Sequence, residues 1–312
     1  MEQHLTAIVP VKNGSAYIST AIPRILQNLD SNDELIVIDD SSTDNSLELI
    51  REICKLDSRV ISLQNPGEGI VDALNHGLDS AKFELIARFD IDDHYQLDRL
   101  SKQRNFLKAN VVAVFCDYNV ISEKFEPLGT IYSPVLSFAT KLSLRNNQRT
   151  PHPGVLFSKS HCLAVGGYRK GDEGVEDLSL WLRLSTVGDL ISIPESLFSY
   201  RIHENSTTWT KREEIQKKKA AILEEFPIQS NEVIQSRRRL GEAICFYKTL
   251  SGSYFRIALL IRELLLLGTF KDRILNLFYI LVNLSRLNPF KLLQAVLYIG
   301  VQSKKRRKYR SI

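Results

Sequence analysis

The stretch LTAIVPVKNGSAYISTAIPRILQNLDSNDELIVIDD, residues 5–40, decides the fold class. It opens with a continuous apolar run, LTAIVPV (5–11), which predicts a buried strand. A helical pattern follows through AYISTAIPRILQNL (16–29), and ELIVIDD (34–40) predicts a second strand. A strand, a helix and another strand in direct succession are typical of a βαβ unit with parallel strands.

The same alternation continues to about residue 90. The predicted elements are a helix in LELIREICKL (47–56) capped by SSTDNS (41–46), a strand in RVISLQN (59–65), a helix in GIVDALNHGLDSA (69–81) and a strand in FELIARFD (83–90). This order predicts an α/β fold with a Rossmann-like, mostly parallel sheet flanked by helices on both faces. In such sheets ligands bind beyond the carboxyl ends of the strands.

Polar residues concentrate at this predicted edge. They are Lys12 and Asn13 after the first strand, Asp39 and Asp40 after the second, and Asp90, Asp92 and Asp93 after the fourth. Carboxylates this close repel each other unless solvent or a cation compensates. An acidic turn is the alternative, with Asp93 as the N-cap of a helix in QLDRLSKQRNFLKA (96–109).

The D-x-D at 90–92 favours one kind of chemistry over several others. The chain contains no GxxxxGK[ST], no GxGxxG after the first strand and no GxSxG, which disfavours the nucleotide-binding and hydrolase sites built on those motifs. Two carboxylates can hold a hard divalent cation, which in turn neutralises a diphosphate. The pattern therefore predicts a nucleotide-linked substrate with a diphosphate leaving group.

A second acidic pair, Glu176 and Asp177, opens a predicted helix in GVEDLSLWLRL (174–184). The apolar positions expected to pack inward are Leu178, Leu180, Trp181, Leu182 and Leu184. A carboxylate near a metal could take a proton from an attacking hydroxyl, as a general base does. Ordinary negative charge at a helix N-terminus is the alternative.

Charge and pattern divide the chain into two predicted domains, residues 1–210 and residues 211–312. Residues 1–200 carry 19 Lys+Arg against 27 Asp+Glu, a net charge of −8, whereas residues 201–312 carry 22 against 9, a net charge of +13. From about residue 211 the sequence predicts basic, amphipathic helices that end in the tail KKRRKYR (304–310). An acidic and a basic region indicate different partners.

Ordered motifs across residues 5–205 resemble the bacterial inverting glycosyltransferases of family 2, which have the GT-A fold. The motifs are AIVPVKNG, VIDDSSTDNS, ALNHGLDSA, LIARFDIDD with LDRLSKQ after it, HPGVLFSK, GGYR, EDLSLWLRL and YRIHENS. The resemblance implies a GT-A type sheet followed by the C-terminal helical region. It also implies a metal-dependent transferase of the hexosyltransferase kind, in which Mn²⁺ or Mg²⁺ is the cofactor.

The resemblance also implies residue roles. Asp39 and Asp40 would contact the base and ribose of the sugar nucleotide, and Pro10 and Asn13 would line its pocket. Asp92 would be the main metal ligand, with Asp90 close to the sugar or ribose and His203 able to approach the metal or diphosphate. Asp177 would be the general base and Glu176 its supporting neighbour. His152 would lie on the acceptor side, and a structural histidine is the alternative.

Lys12 and Arg88 are two basic residues close to this acidic edge in the sequence. Lys12 stands where family members commonly carry an aromatic residue that stacks on the nucleobase, so the resemblance does not identify the donor base. The Lys12 stem can still cover a base edge, and its ammonium can reach phosphate. Arg88 could approach the diphosphate or neutralise the acidic edge, and a surface ion pair is the alternative.

The expected reaction is a single displacement. A hydroxyl of a glycan or lipid-linked acceptor attacks the anomeric carbon of a nucleotide-sugar donor, as in polysaccharide biosynthesis of the cell envelope. A sugar nucleotidyltransferase and a non-catalytic nucleotide-sugar-binding protein are the competing hypotheses. No nucleic-acid partner is expected.

The sequence also predicts where the protein works. Residues 1–10 lack a signal peptide's basic and apolar segments, and the four cysteines lie far apart, so a cytoplasmic protein with reduced thiols is expected. The apolar stretches 274–285 and 292–303 have 12 residues each, whereas a membrane span needs about 20. The basic region instead predicts peripheral binding to an anionic membrane surface on the inner face of the cell membrane. Packing of these helices on the catalytic domain is the alternative.

Overall fold

The computed structural model describes residues 4–108, 110–146, 150–203, 212–227, 257 and 260–261. Within them the strands are β1 Leu5–Val11, β2 Glu34–Asp39, β3 Val60–Gln64, β4 Leu85–Arg88, β5 His94–Tyr95, β6 Val111–Ser122, β7 Pro127–Ile131, β8 Leu156–Ser158 and β9 Asp189–Ile202. The helices are α1 Ser15–Leu26, α2 Ser46–Leu56, α3 Ile70–Ser80, α4 Arg99–Arg104, α5 Ser137–Asn146, α6 Lys159–Ala164, α7 Glu176–Leu184 and α8 Arg212–Glu225.

The strands described form one sheet in the order β3-β2-β1-β4-β8-β6-β9-β5, and β7 pairs with β6 beside this path. β1 is parallel to both β2 and β4, and β2 is parallel to β3, as the βαβ pattern predicts. The sheet as a whole is mixed, which corrects the expectation of a mostly parallel one. β8 runs antiparallel to β4 and β6, while β5 and β7 pair antiparallel with β9 and β6. A three-residue apolar strand such as β8 does not reveal its direction in the sequence.

Helices cover both faces of the sheet. In β1, Ile8 belongs to the core under α3 and α7, while Ala7 and Val9 belong to the core under α1. This alternation follows from the two-residue period of a strand, and burial on both faces explains the continuous apolar runs. The apolar positions predicted to point inward from α7 are all 0% exposed, which confirms that prediction.

Helix α4 is shorter than the sequence pattern suggests. It begins at Arg99, directly after Asp98, and not near Asp93. The Asp93 carboxylate is buried and accepts a hydrogen bond from the backbone N–H of Arg201 in β9. The alternative role of Asp93 as a helix N-cap is therefore wrong, because Asp98 occupies the N-cap position.

Helix α8 lies in the predicted second domain and packs on the catalytic core. Ile222 is 5% exposed and belongs to the same apolar cluster as Trp181 of α7. The Arg145 Nε also donates to the backbone oxygen of Phe226, at 3.2 Å. The boundary at residue 210 stays a prediction, and the helices predicted in 262–312 lie outside the described residues.

Candidate active site at the carboxyl edge of the sheet

Three adjacent parallel strands bring the predicted polar groups together. In the register of the sheet, Val11 of β1 pairs with Asp39 of β2, and Ile8 of β1 pairs with Arg88 of β4. The loops that follow these strands therefore emerge side by side at one edge. The structure therefore places these polar residues at one edge of the sheet, as the sequence predicts.

Asp40 is surrounded by donors. Its Oδ1 accepts from Asn65 Nδ2 at 2.6 Å and from the Gly69 N–H at 3.0 Å, and its Oδ2 accepts from Lys12 Nζ at 3.2 Å. Burial raises the pKa of Asp40, but the hydrogen bonds from Asn65, Gly69 and Lys12 outweigh it and leave that pKa below its usual value. Lys12 is therefore an ion-pair partner of Asp40, with its ammonium half exposed at the mouth of the site.

The other residues of the predicted nucleotide pocket shape the backbone around Asp40. Asn13 has a left-handed φ of 52°, which asparagine adopts more readily than most residues. Its N–H donates to Ser42 Oγ at 2.9 Å, and its Oδ1 accepts from the Thr43 N–H at 2.8 Å. Pro10 is buried in β1 opposite Ile38.

Asp39 lies beside them and is 2% exposed. Its Oδ2 accepts from the Ser42 N–H at 3.2 Å, while its Oδ1 is buried with no hydrogen-bond partner among the described residues. A buried carboxylate oxygen without a partner is costly, so a donor from a ligand would find an acceptor here.

Asp90, Asp92 and Asp93 form a compact carboxylate cluster. Each offers one oxygen, and these oxygens all lie within 4.8 Å of one another. Burial and the charges of Asp92 and Asp90 raise the pKa of Asp93 well above its usual value. Asp93 Oδ2 is buried and has no hydrogen-bond partner within the described part of the chain. Oxygen donors in this arrangement suit Mg²⁺ or Mn²⁺.

Arg88 lies beneath this cluster. Its guanidinium is only 4% exposed, and Nη2 donates to Asp90 Oδ1 at 2.6 Å. Burial opposes the charge, yet Asp90 keeps the Arg88 pKa above its ordinary value. The alternative of a surface ion pair is wrong, because the Arg88 side chain is buried.

The N-terminus of α7 supplies the second acidic pair. Glu176 Oε2 accepts from the Gly174 N–H at 2.5 Å, and its Oε1 lies 3.8 Å from His152 Nδ1. Burial raises the pKa of Glu176, and the charge of Arg88 partly counteracts this. Asp177, next to it, is half-buried, and its Oδ1 lies 2.6 Å from the Leu178 N–H.

His152 lies between Tyr168 and Glu176. Its Nε2 lies 2.8 Å from the Tyr168 hydroxyl, and the ring is buried. Burial and the nearby Arg88 charge lower the pKa of His152 to about 3, although Asp177 and Asp90 act in the opposite direction. A neutral histidine in a buried hydrogen-bond network has a structural role here, and its placement toward an acceptor stays a prediction.

His203 approaches the cluster from the end of β9. Its Nε2 lies 2.9 Å from Asp92 Oδ2, and this hydrogen bond raises the His203 pKa. The structure thus brings His203 to Asp92, 111 positions away in sequence. Residues 204–211, which include the end of the YRIHENS motif, lie outside the described part of the chain.

Sequence reasoning placed Asp93 in the acidic cluster without assigning it a role, and it missed Tyr168 and Tyr95. Asp93 joins the carboxylate cluster, the Tyr168 hydroxyl contacts His152, and the Tyr95 hydroxyl contacts the backbone of Asp90. Tyr168 lies in the GGYR motif, but no local pattern indicates that its ring turns toward His152. These contacts join segments distant in sequence.

Comparisons with known proteins agree with this geometry. The family model described as glycosyl transferase family 2 matches residues 6–163. An uncharacterized glycosyltransferase of Haemophilus influenzae is 29% identical over 65% of this chain and 67% of its own length. The putative teichuronic acid biosynthesis glycosyltransferase TuaG of Bacillus subtilis is 25% identical over 66% of this chain and 82% of its own length. A Rickettsia conorii relative, 28% identical, is matched over only 34% of its length.

Solved structures show the same fold. The mannosyltransferase PcManGT from Pyrobaculum calidifontis, in complex with GDP-Man and Mn²⁺, aligns with a TM-score of 0.60 and 14% identity over 98% of this chain and 85% of its own. S. aureus TarS 1-349, in complex with UDP-GlcNAc, aligns with a TM-score of 0.56 and 15% identity over 91% of each chain. Within the described residues, no helix is both long and apolar enough to cross a bilayer.

Proposed function

Because this chain belongs to glycosyl transferase family 2 and has the GT-A fold, we propose that it transfers a sugar from a nucleoside-diphosphate sugar to an acceptor hydroxyl, with inversion. The observation that carries the proposal is the carboxylate cluster of Asp90, Asp92 and Asp93, with oxygens within 4.8 Å of one another at the carboxyl edge. Parallel sheets bind their ligands at this edge. The second acidic pair is Glu176 and Asp177, and Glu176 Oε1 lies 3.8 Å from His152 Nδ1.

The carboxylate cluster fits a divalent cation. Asp92 is half-buried and Asp93 has a buried oxygen without a protein partner in the described residues, so oxygen ligands are available. Asp92 would be the main ligand, with Asp90 and His203 beside it. A bound Mn²⁺ or Mg²⁺ would neutralise the diphosphate of the leaving group.

The nucleotide would lie on the β1–β2 side of the edge. The unpartnered Asp39 oxygen and the remaining acceptor capacity of Asp40 Oδ2 suit N–H and O–H donors of a base and ribose. Lys12 lies on the exposed side of Asp40, where its ammonium can reach a phosphate. Pro10 and Asn13 would shape this pocket through the backbone.

The acceptor side would lie under the N-terminus of α7. Asp177 would take the proton of the attacking hydroxyl, and Glu176 would support it. Arg88 would offset the negative charge of the edge, because its guanidinium is 2.6 Å from the Asp90 carboxylate. One displacement at the anomeric carbon needs no covalent enzyme intermediate.

The donor and acceptor classes follow from similar proteins. The solved structures contain GDP-Man or UDP-GlcNAc, which supports a nucleotide-sugar donor without selecting one. The relative named for teichuronic acid biosynthesis supports a glycan or lipid-linked acceptor of the cell envelope. The basic C-terminal region would hold the enzyme peripherally at the inner face of the cell membrane.

A binding and turnover assay tests this function. Thermal shifts are measured with a panel of nucleoside diphosphates and sugar nucleotides, with and without Mn²⁺, and the stabilising donor is then assayed for slow hydrolysis without acceptor. We expect one donor to stabilise the protein only with the cation, and to release nucleoside diphosphate. A nucleotidyltransferase would instead form a sugar nucleotide from a sugar phosphate and a nucleoside triphosphate. Binding without any release of diphosphate would indicate a non-catalytic protein.

A further inference from the structure

The segment LDRLSKQ (97–103) has no part in the proposed reaction, yet it contains a fully buried arginine. Arg99 is 0% exposed, and its guanidinium lies 4.0 Å from the centre of the Phe89 ring and 5.0 Å from that of Tyr95. Its Nη1 donates to Gln103 Oε1 at 3.1 Å, whereas Nε and Nη2 have no partner among the described residues. Burial lowers the pKa of Arg99 to about 10, so the group still carries its charge at neutral pH.

This burial needs a physical reason. Within the described part of the chain, no carboxylate pairs with Arg99, and a buried charge without an ion partner costs several kcal/mol. Cation–π contacts with two rings offset part of that cost, and they are strongest where water is excluded. A methionine could fill similar space without the cost. Packing alone therefore does not explain the charge of Arg99.

One of the two rings under Arg99 holds the D-x-D loop. The Tyr95 hydroxyl accepts from the Asp90 N–H at 2.7 Å and donates to the Asp90 backbone oxygen at 3.2 Å. The backbone N–H and the backbone oxygen of Asp90 thus both form hydrogen bonds with the Tyr95 hydroxyl. The Tyr95 ring is 1% exposed and packs edge-on against Phe89 and in a stack with Phe198. Tyr95 cannot move without disturbing these rings.

Gln103, which accepts a hydrogen bond from Arg99, is also connected to the D-x-D loop. Gln103 Nε2 donates to the backbone oxygens of Gly154, at 2.8 Å, and Val114, at 2.9 Å. The Gly154 N–H in turn donates to the Arg88 backbone oxygen at 3.2 Å. The Arg88 side chain in turn binds the Asp90 carboxylate. Arg99 is therefore connected to Asp90 in two ways, through Tyr95 and through Gln103, Gly154 and Arg88.

We propose that Tyr95, Arg99 and Gln103 are positioning residues that hold the D-x-D loop in the shape its cation and diphosphate require. The inference rests on the proposed function through the metal role of Asp90 and Asp92. A carboxylate set held in place loses little freedom when it binds, and this lowers the cost of binding. The three residues do not touch the reacting atoms in this arrangement.

The Tyr95→Phe variant removes the hydroxyl that bonds Asp90 and keeps the aromatic ring. Amide hydrogen exchange of residues 89–94 is measured in the metal-free protein, and the affinity for Mn²⁺ together with UDP or GDP is measured separately. Loss of the hydroxyl leaves the Asp90 N–H without its acceptor, so we expect exchange in 89–94 to rise about 5- to 10-fold, the effect of one lost hydrogen bond. Mn²⁺ affinity should fall by a similar factor, and turnover should recover at saturating Mn²⁺.

Thr140→Val is the matched control. Its hydroxyl is also buried and donates to backbone oxygens, those of Pro134 at 3.0 Å and Leu136 at 3.2 Å, but it lies at α5. This variant loses a comparable bond and should leave exchange in 89–94 and the Mn²⁺ affinity at wild-type values. Equal effects in both variants would overturn the proposal, because they would mean a general loss of stability.

Arg99→Met separates positioning from stability. Replacing an unpaired buried charge with an apolar side chain is often neutral or stabilising, so the melting temperature should stay the same or rise while exchange in 89–94 still increases. Wild-type exchange in both Tyr95→Phe and Arg99→Met would refute the inference. If wild-type protein binds no Mn²⁺, the proposed function fails, and the metal-free exchange still decides whether these residues hold the loop.

Discussion

Asp40 and Asp93 are each the second member of an Asp-Asp pair at the carboxyl edge, but their surroundings shift their pKa values in opposite directions. Asp40 receives hydrogen bonds from Asn65, Gly69 and Lys12, which keep it ionised. Asp93 is buried beside two other carboxylates, which favours its protonated form until a cation binds. The first arrangement suits the recognition of donor groups, and the second suits a metal.

Asp92→Asn tests the metal role at the scale of one residue. We expect transfer to fall roughly 100-fold or more, because the main ligand loses its charge. The melting temperature should stay the same or rise, since one of three mutually repelling carboxylates is removed. Asp98→Asn is the control, because Asp98 is exposed and pairs with Lys102 outside the cluster. Full activity of Asp92→Asn, or of wild type with excess chelator, would show that the metal assignment is wrong.

Asp177→Asn tests the proposed base. A proton acceptor acts in the transition state, so donor affinity should stay within about twofold while transfer falls by roughly 100- to 10,000-fold. Both quantities are measured on one preparation by calorimetry and by diphosphate release. Glu176→Gln is the companion variant. If it loses transfer while Asp177→Asn retains it, Glu176 is the base.

His152 should make folding stability depend on pH. Its pKa is about 3 in the folded protein because it is buried beside Arg88, whereas the unfolded chain has the ordinary value. Below about pH 6.5 the unfolded chain therefore binds a proton that the folded protein excludes, and stability falls as the pH falls. His152→Gln removes this titration while an amide can still accept from Tyr168.

The measurement is the free energy of unfolding in urea at pH 7 and pH 5. We expect wild type to lose on the order of 2 kcal/mol more than His152→Gln over this interval. The difference between the two proteins isolates the contribution of His152 from that of the other ionisable groups. Equal losses would mean that His152 is protonated in the folded state.

At the scale of elements, the regular part of the fold could be predicted because its signals are local. The predictions for β1, β2, β3 and β4 and for α1, α2 and α3 agree with the structure to within about three residues at either end. Each is marked by an apolar run or a helical apolar pattern within its own segment. The mixed half of the sheet could not be predicted, because the placement of β8 between β4 and β6 depends on contacts between distant segments.

The candidate site also contains residues with a local sequence signal and residues placed by contacts between distant segments. The acidic strand ends and the pair that opens α7 are visible in the sequence because each is a local cluster. The Asp92–His203 contact depends on β9, and the Tyr168–His152 contact depends on the loop before α7. His203 was assigned to the metal only through the resemblance to a family, and Tyr168, whose contact also joins distant segments, was missed.

Gly154, just before β8, lies against Phe198 of β9, and the Gly154→Ala variant tests how closely the two are packed. Gly154 has φ +83°, and a Cβ there would lie 2.5 Å from the Phe198 ring. Gly166 has a similar φ, +88°, but a Cβ there would meet nothing within 4 Å. Gly166→Ala should therefore cost about 1 kcal/mol from backbone strain alone, and Gly154→Ala about 3 kcal/mol or more. Urea unfolding of both variants gives the comparison, and equal losses would mean that the ring moves away at little cost.

At the scale of the whole molecule, an acidic catalytic region is joined to a basic C-terminal one. Helix α8, the described start of the basic region, is fixed to the core by Ile222 and by the Arg169–Glu225 ion pair at 3.0 Å. Packing on the catalytic domain thus accounts for this part of the region. The tail KKRRKYR (304–310), with six positive charges, lies outside the described residues.

We predict that this tail binds the protein to anionic membranes. Each Lys or Arg near an anionic leaflet contributes about 1 kcal/mol, and salt weakens the attraction because it screens charge. Co-sedimentation with vesicles of increasing anionic lipid content is compared for the full chain and a chain that ends at Ser303, with neutral vesicles as the control. We expect affinity to rise with anionic lipid, to fall with salt, and to drop roughly 100-fold or more without the tail. Binding that ignores lipid charge and salt, or survives tail removal, would instead mean that apolar surface holds the protein at the membrane.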